Sequence, residues 1–229
     1  MKRTNLPALG IAGLAIAWIL CSPSPGEAQE RDQARTVAAR VQTFYDQTDT
    51  YQASFYQTYF SRMYGRYSRS RGRLTFDKPG RMRFDYARPN GKVIVSDGQK
   101  LTMWEPGDDG GPGQYLEQAM RDNALPAAFS FLTGQGRLED DYRFRLLNAR
   151  AWRWNGHVLE LRPRRADPRT RRILLFVDAD PARAGIVHRI RIDDHEGNRN
   201  KFSLTHMRFN PAVQSGLFAF RPPAGARRM

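Results

Sequence analysis

Residues 72–106 decide the fold and read GRLTFDKPGRMRFDYARPNGKVIVSDGQKLTMWEP. Three turn signals divide this stretch into four short runs: Pro79-Gly80, Asn90-Gly91 and Asp97-Gly98. Proline fixes φ near about −65° and glycine tolerates positive φ, so Pro-Gly favours a tight turn. Asn-Gly and Asp-Gly favour the two-residue turns that join antiparallel strands. The stretch is therefore predicted to form a four-stranded antiparallel meander.

Alternation within these runs indicates that the meander has one apolar face and one charged face. Met82, Phe84 and Tyr86 occupy every second position of one run, and arginine or aspartate lies between them. Leu74 and Phe76 alternate with polar residues in the run before it. Successive side chains of a strand point to opposite faces of a sheet, so the apolar residues share one face.

The first 28 residues have the pattern of a secretory signal peptide. Lys2 and Arg3 give a positive start, Leu6–Leu20 is apolar and uncharged, and the small residues Gly26 and Ala28 suit cleavage after Ala28. A membrane anchor is the alternative, but this apolar run is shorter than the roughly 20 residues that span a bilayer. We therefore predict export, with a single domain at 29–225 and a disordered tail at 226–229.

Cysteine usage and charge restrict the function further. The single cysteine, Cys21, lies within the predicted signal, and the bulky residues 18–20 before it disfavour a lipid-modified N-terminus. The formal net charge is +14, mostly from arginine. Export argues against a nucleic-acid partner. The arginines recur at every second position of predicted strands, which fits either a solvated sheet face or a surface for lipid or an acidic partner.

Two segments before the meander have a clear pattern. Gln29–Gln47 has apolar residues at helical spacing and is predicted to form an amphipathic helix. Tyr51–Tyr67 is dense in aromatic residues, which favour strands, and is predicted to form one long strand with a bend or bulge at Gly65. A stacking platform for nucleic acid would also mix aromatic residues with arginine, but strand packing is the simpler interpretation.

Two short helices, at Gln114–Arg121 and Pro126–Leu132, are predicted after the meander. The second is apolar almost all round, which predicts that it plugs an apolar opening. Six further strands bring the total to 11, in an antiparallel sheet that curls into a barrel or half-barrel. Their predicted spans are Tyr142–Asn148, Val158–Arg162, Arg171–Asp178, Ile186–Asp193, Lys201–Phe209 and Leu217–Arg221.

No arrangement of residues indicates catalysis or a cofactor. The four histidines lack the helical spacing of a zinc site, and no nucleophile elbow of the Gly-x-Ser-x-Gly type is present. Asp193-Asp194-His195 could bind a metal, but the polar end of a hairpin is the more ordinary interpretation. We therefore predict a protein that is not an enzyme and has no catalytic residue, metal or cofactor.

In order and spacing, several short motifs resemble the periplasmic outer-membrane lipoprotein carrier (LolA-like) family. The resemblance covers most of the mature chain and rests on Gly72-Arg73-Leu74, Lys78-Pro79, Met82-x-Phe84-x-Tyr86, Pro89, Ser96-Asp97-Gly98, Leu101, Trp104-x-Pro106 and Leu217-Phe218-x-Phe220-x-Pro222-Pro223-x-Gly225.

The resemblance implies an α+β, mainly β fold: an incomplete antiparallel barrel with a lid of short helices over an apolar cavity. It implies a periplasmic monomer that takes acylated lipoproteins from an inner-membrane exporter to an outer-membrane receptor. Lys78 matches a family arginine that hydrogen-bonds the lid, so it is expected to latch the lid. The residues expected to line the cavity are Met82, Phe84, Tyr86, Val95, Met103, Phe129 and Leu132.

Three alternatives remain open at this point. The apolar residues could fill a barrel core and leave no cavity, because composition does not distinguish a filled barrel from a hollow one. The same fold could serve a periplasmic lipid sensor that does not carry its ligand. It could also belong to a structural protein of the envelope.

Overall fold

The computed structural model describes residues 25–108, 110–120, 127–134 and 136–229. Most of the predicted signal peptide lies outside these residues, and cleavage after Ala28 stays a prediction. The first described helix, α1, spans Pro25–Asp46 and begins just before that site. It confirms the amphipathic helix that the sequence pattern predicts. Its N-terminal proline suits the first turn of a helix, where an N–H has no intrahelical partner.

A single curled sheet makes up most of the fold. Its strands are β1 Thr50–Ser61, β2 Arg66–Asp77, β3 Arg81–Tyr86, β4 Val93–Asp97, β5 Lys100–Glu105, β6 Gln114–Ala119, β7 Tyr142–Leu147, β8 Gly156–Pro163, β9 Arg172–Asp178, β10 Val187–Asp193, β11 Arg199–Phe209 and β12 Arg227–Arg228. In the described parts of the chain, these 12 strands lie in the order β12-β6-β5-β4-β3-β2-β1-β11-β10-β9-β8-β7.

The sheet is open, since its two end strands, β12 and β7, do not pair with each other. All neighbouring pairs are antiparallel except β12 with β6. Few helices accompany the sheet: α1, the short α2 at Leu138–Asp141, and 3₁₀ helices at Ala127–Thr133, Ala149–Trp152, Pro181–Arg183 and Ser215–Phe218. The 3₁₀ helix at Ala127–Thr133 is called the plug helix below. This architecture confirms a mainly β fold built on an incomplete antiparallel barrel.

The meander is confirmed as β2 to β5, with turns at the three predicted sites. The single long strand predicted at Tyr51–Tyr67 is wrong, because the chain reverses within it. Gly65 has a φ of 61° and lies in the turn between β1 and β2. These two strands pair along their whole lengths, from Thr50 opposite Asp77 to Ser61 opposite Arg66.

The helix predicted at Gln114–Arg121 is wrong, because Gln114–Ala119 forms β6. This segment pairs with β5, with Tyr115 opposite Trp104 and Leu116 opposite Met103. The edge of a sheet offers a row of unpaired backbone groups, and pairing with it outweighs a weak local preference for helix. The added pair extends the apolar face of the meander by one strand.

The strand predicted at Leu217–Arg221 is also wrong. A 3₁₀ helix at Ser215–Phe218 takes its place and lies across the outer face of the meander. Phe218 is buried there, and the guanidinium of Arg81 lies 5.5 Å from the centre of its ring. Arg83 donates a 2.9 Å hydrogen bond from Nη1 to the carbonyl of Leu217. The segment therefore covers the outer face of the meander and does not add a strand to the edge of the sheet.

The C-terminal tail at 226–229, predicted to be disordered, is ordered by the free edge of β6. Arg227 and Arg228 form β12, parallel to Gln114 and Tyr115. The N–H of Arg227 donates to the carbonyl of Gly113 at 3.0 Å, and that of Met229 donates to Tyr115 at 2.9 Å. Backbone groups at a sheet edge attract any segment that can reach them.

One half of the barrel is filled by α1, which contacts β7 and β8. Its apolar stripe, which includes Ala34, Val37 and Val41, is buried in the main core. Leu159, Leu161, Ile173 and Leu175 of the sheet belong to the same core. The helix therefore occupies the interior beside β7 to β9, and the interior beside the meander is left to other side chains.

Candidate ligand cavity

A cavity of about 600 Å³ lies inside the curled sheet, between the meander and strands β1, β10 and β11. Its apolar lining consists of Met82, Phe84, Tyr86, Ile94, Leu101, Met103, Leu116, Phe129, Ile192 and Phe202. Its polar lining consists of Gln57, Tyr59, Lys92, Gln118, Asp167, Arg169, Thr170, Asp194, Asn198, Arg199 and Asn200. The size is typical of a site for a small molecule.

Strand register explains why the meander is apolar towards this cavity. Phe84 lies opposite Ile94, Ile94 lies opposite Met103, and Met103 lies opposite Leu116. Residues directly opposite each other in an antiparallel pair share a face. One row of apolar side chains therefore crosses β3, β4, β5 and β6 along the wall of the cavity.

Five of the seven residues expected to line the cavity do so: Met82, Phe84, Tyr86, Met103 and Phe129. Val95 does not. It lies opposite Arg83 and Thr102, on the outer face of the meander, beside Phe218. A shift of one residue along a strand exchanges the two faces, so its neighbour Ile94 takes the cavity position. Leu132 belongs to the buried core and does not reach the cavity.

An aromatic cluster forms the closed end of the cavity. The ring of Phe84 lies 5.5 Å from Phe129, 5.7 Å from Phe55 and from Phe76, and 6.3 Å from Phe202. Most of these contacts are tilted or edge-to-face, the arrangement that aromatic quadrupoles prefer. Because Phe129 comes from the plug helix, this helix closes the barrel at that end. The position of Phe129 agrees with the prediction that an all-round apolar helix plugs an apolar opening.

The opposite end of the cavity is polar and forms its mouth. Tyr59 of β1 lies opposite Asn200 of β11, and both line the cavity near the turns that end these strands. Deeper in, Gln57 donates a 2.9 Å hydrogen bond to Asn200. Burial raises the pKa of Tyr86 to about 12, although a hydrogen bond with Gln57 opposes the shift. Tyr86 is therefore a neutral phenol at physiological pH, and the apolar wall stays uncharged.

Lys78 lies at the plug end, but its ammonium does not bind the plug helix. Its Nζ donates to the backbone carbonyl of Tyr45, in the last turn of α1. Helix C-terminal carbonyls attract cations. The carbon stem of Lys78 packs beside Gly134, and the plug helix is held by a 3.1 Å backbone bond from Gly80 N–H to the Thr133 carbonyl. Among the described residues, the expected latch therefore contacts α1 through its charge and the turn after the plug helix through its stem.

Asp194 and His195 belong to the turn between β10 and β11. The carboxylate of Asp194 accepts hydrogen bonds from the backbone and side-chain nitrogens of Asn198, at 2.8 and 2.7 Å. His195 Nε2 lies 3.0 Å from the carbonyl oxygen of Asp167. Within the described ranges, no three acidic, histidine or cysteine side chains gather as a metal site would require. The geometry is that of a hydrogen-bonded hairpin end.

Fold and cavity together define a class of protein: an open antiparallel sheet curled around an apolar cavity, with a helix inside one half and a plug at one end. Residues 46–221 match the family model described as "Outer membrane lipoprotein carrier protein LolA". The match covers most of the chain, and the chain belongs to this family.

Known proteins of similar sequence carry the same description. An outer-membrane lipoprotein carrier protein of Chromobacterium violaceum is 26% identical over 215 residues, which is 94% of this chain and 93% of that protein. One of Methylococcus capsulatus is 25% identical over 212 residues, covering 93% and 94%. A LolA superfamily protein of Nitrosomonas europaea, solved by crystallography, has 11% identity and a TM-score of 0.43 over 82% of this chain and 97% of that one.

Helices long and apolar enough to cross a membrane are absent from the described residues.

Proposed function

We propose that this protein binds the acyl chains of lipoproteins in its cavity and carries them through the periplasm from the inner to the outer membrane. The family and the names of the relatives support this proposal. The predicted signal peptide supports it too, as does the absence of a recognisable catalytic arrangement in the sequence. In this role the protein receives its cargo from an inner-membrane exporter and passes it to an outer-membrane receptor, and it binds without catalysing a reaction.

The observation that carries the proposal is the apolar cavity itself. Transfer of acyl carbon from water into an apolar site gains roughly 0.8 kcal/mol for each buried CH₂ group. The wall of Phe84, Ile94, Met103 and Leu116 offers such a site, and its polar mouth gives a chain a way in. The hollow lined by Asp97, Lys100 and Glu117 is less suitable, because Ala119 and Met120 are the only apolar side chains among its described lining residues.

A matched pair of variants on β4 tests whether acyl chains use this cavity. Ile94 faces the cavity, while its neighbour Val93 faces outward opposite Asp85 and Trp104, and both side chains are half-buried. In Ile94→Glu, a carboxylate would lie in the path of the acyl chain, and desolvating it costs several kcal/mol. We expect Ile94→Glu to lose binding of a dansyl-labelled fatty acid, and Val93→Glu to bind it as the wild type does.

The pair also distinguishes a hollow barrel from a filled one. If the wild type binds no labelled fatty acid or acylated lipopeptide, the cavity does not hold acyl chains and the proposal is wrong. It is wrong as well if Ile94→Glu binds the probe normally while remaining folded by circular dichroism.

A transfer experiment separates a carrier from a binder that keeps its ligand. The protein, loaded with a radiolabelled triacylated lipopeptide, is mixed with outer-membrane vesicles, and the label is followed after flotation of the vesicles. A carrier passes the label to the vesicles. A sensor or a structural protein retains it or never acquires it.

A further inference from the structure

The large apolar side chains that are exposed gather at one place on this protein. Met63 is 83% exposed, Tyr64 67% and Tyr67 57%, and all three lie at the tip of the hairpin formed by β1 and β2. Tyr56 and Tyr59 continue the group along β1, and apart from Met229 no other large apolar side chain of the described residues is so exposed. Exposed apolar residues that are grouped in this way mark an interaction site.

The hairpin tip projects beyond its neighbours in the meander. The pairing of β2 with β3 begins at Gly72 opposite Tyr86, whereas β2 itself begins at Arg66. The β3–β4 turn still contacts Arg71 and Ser70, through hydrogen bonds from the N–H of Ala87 and the side chain of Asn90. Residues 66–69 extend beyond that turn, by roughly 13 Å at about 3.3 Å per residue. The tip can therefore reach a surface that the rest of the meander does not touch.

Positive charge surrounds these exposed side chains. Arg62, Arg66, Arg69, Arg71 and Arg73 are all exposed, and residues 50–76 include no aspartate or glutamate. None of the ion pairs formed by the described residues involves any of these five arginines.

The same charge continues across the outer face of the sheet. Lys201 of β11 lies opposite Arg191 of β10 and opposite Thr58 of β1. Burial lowers the pKa of Lys201, and the charges of Arg189 and Arg191 lower it further, although Arg191 also pairs with Asp193 at 2.6 Å. Arg199 lies opposite Asp193 in the pairing of β10 with β11, and its guanidinium lies over the ring of Phe60 at 4.6 Å, next to the hairpin.

We propose that the tip of the β1–β2 hairpin docks on the anionic surface of a phospholipid bilayer. In this arrangement Met63 and Tyr64 enter the headgroup region and the arginines contact lipid phosphates. Tyrosine favours the membrane–water interface because its ring is apolar and its hydroxyl is polar. An acidic protein would complement the arginines too, but it would also need a pocket shaped for Met63 and Tyr64. A bilayer accepts these side chains without such a pocket.

Docking in this way would bring the mouth of the cavity to the membrane. The N–H of Arg62 donates a 2.8 Å hydrogen bond to Asn198 Oδ1, and Asn198 lines the mouth. The hairpin tip and the entrance to the cavity are therefore direct neighbours. The docking itself does not depend on the proposed carrier function, but its use for loading or delivering acyl chains rests on it.

Flotation with lipid vesicles tests the proposal. The exported protein is mixed with vesicles of phosphatidylethanolamine and phosphatidylglycerol, and in parallel with vesicles of phosphatidylcholine alone. We expect it to float with the anionic vesicles and to remain behind with the neutral ones. Binding should weaken as salt is raised, because exposed charges are screened.

Two hairpin variants and a matched control locate the binding surface. Each arginine near an anionic surface strengthens binding about fivefold, so the triple variant R66Q/R69Q/R71Q should bind roughly a hundredfold more weakly. The variant M63S/Y64S should also float poorly, although its charge is unchanged. The control R150Q/R153Q/R208Q removes the same charge from exposed arginines outside the hairpin and should float as the wild type does.

Three results would overturn the proposal. The wild type could fail to float with anionic vesicles, the control could lose as much binding as the hairpin triple, or both hairpin variants could float normally. The last result would leave the arginines available for an acidic protein surface. The Ile94→Glu variant should still float, and the hairpin variants should still bind labelled fatty acid, so failure of docking and failure of the cavity are distinguishable.

Discussion

Glu160 provides the sharpest test of how the sheet is held together beside α1. It lies on the outer face of β8 and is only 1% exposed, yet it meets three arginines. Its carboxylate lies 3.1 Å from Arg145, 3.2 Å from Arg162 and 3.1 Å from Arg172. Arg172 also pairs with the buried Asp193 at 2.8 Å. The perturbation is Glu160→Gln, which keeps the shape of the side chain and removes its charge.

The expected loss of stability in Glu160→Gln follows from the exposure of the three arginines. Removing one partner of a fully buried ion pair costs about 3–5 kcal/mol. Arg145 and Arg162 are 60% exposed, so water can solvate them in the variant. Only Arg172, at 21% exposure, loses a partner that water does not replace. We therefore expect a loss of about 2–3 kcal/mol in the free energy of unfolding, near the range for a hydrogen bond to a charged group.

The loss should depend on pH in a definite direction. Burial alone would raise the pKa of Glu160, but hydrogen bonds from Arg162 and Arg172 and the charge of Arg145 outweigh burial and lower it. A carboxylate whose pKa is lowered by folding contributes stability above its unfolded pKa of about 4.3, and this contribution disappears as the pH falls through the folded pKa. The difference between wild type and Glu160→Gln should therefore be full at pH 7 and shrink in acid.

The assay is urea unfolding followed by tryptophan fluorescence, at a series of pH values from neutral to acidic. The control is Glu139→Gln, which removes an exposed carboxylate of α2 and should change stability little. The reasoning is refuted if Glu160→Gln and the wild type unfold at the same urea concentration at pH 7. It is refuted equally if the two curves stay apart by the same amount where Glu160 is protonated.

Two further predictions concern the plug end and the meander. Lys78→Met should lower the free energy of unfolding by about 1.5 kcal/mol, the low end for a charged hydrogen bond, because the Tyr45 carbonyl keeps a second donor in the N–H of Thr48. Lys78→Arg should retain most of the stability, and equal urea midpoints for wild type and Lys78→Met would contradict the contact. Gly72→Ala should cost about 3 kcal/mol, since the new methyl would lie 2.1 Å from the backbone oxygen of Asp85. Gly216→Ala, which meets nothing within 4 Å, is the control, and similar thermal midpoints for the two variants would argue against the close approach at Gly72.

The sequence was sufficient to predict the meander because local turn chemistry fixes it. The three dipeptides that end in glycine set where each strand stops, and the alternation in β3 sets which face is apolar. The wrong assignment of Val95 has a physical reason in the next strand. Residues 93–95 read Val-Ile-Val, without alternation, so either register satisfies the pattern. Only the pairing of Ile94 with Phe84 and Met103 decides it, and that pairing is a property of the folded sheet.

The errors after the meander share another cause: long-range pairing. The choice between helix and strand for β6 depended on the free edge of β5, and the order of the tail depended in turn on the free edge of β6. Leu116 could not be placed in the cavity while its segment was taken for a helix. Phe202 and Ile192 belong to distant strands that meet the meander only across the interior. Sequence periodicity predicts a face of an element, but not the element that it will face.

The choice between a hollow and a filled barrel depends on how far one helix reaches. Both halves of the sheet present apolar side chains to the interior, so composition does not show which half is filled and which is hollow. Beside β7 to β9 the stripe of Ala34, Val37 and Val41 occupies the interior, and the residues around it are almost completely buried. Beside the meander Phe129 of the plug helix enters from the end, and Ile94 and Met103 stay partly accessible. The described residues therefore combine both alternatives: a core packed by α1, which stabilises the domain, and a neighbouring space whose walls keep their shape without filling it. For the carrier role proposed above, this division means that emptying the cavity leaves the packed half unchanged.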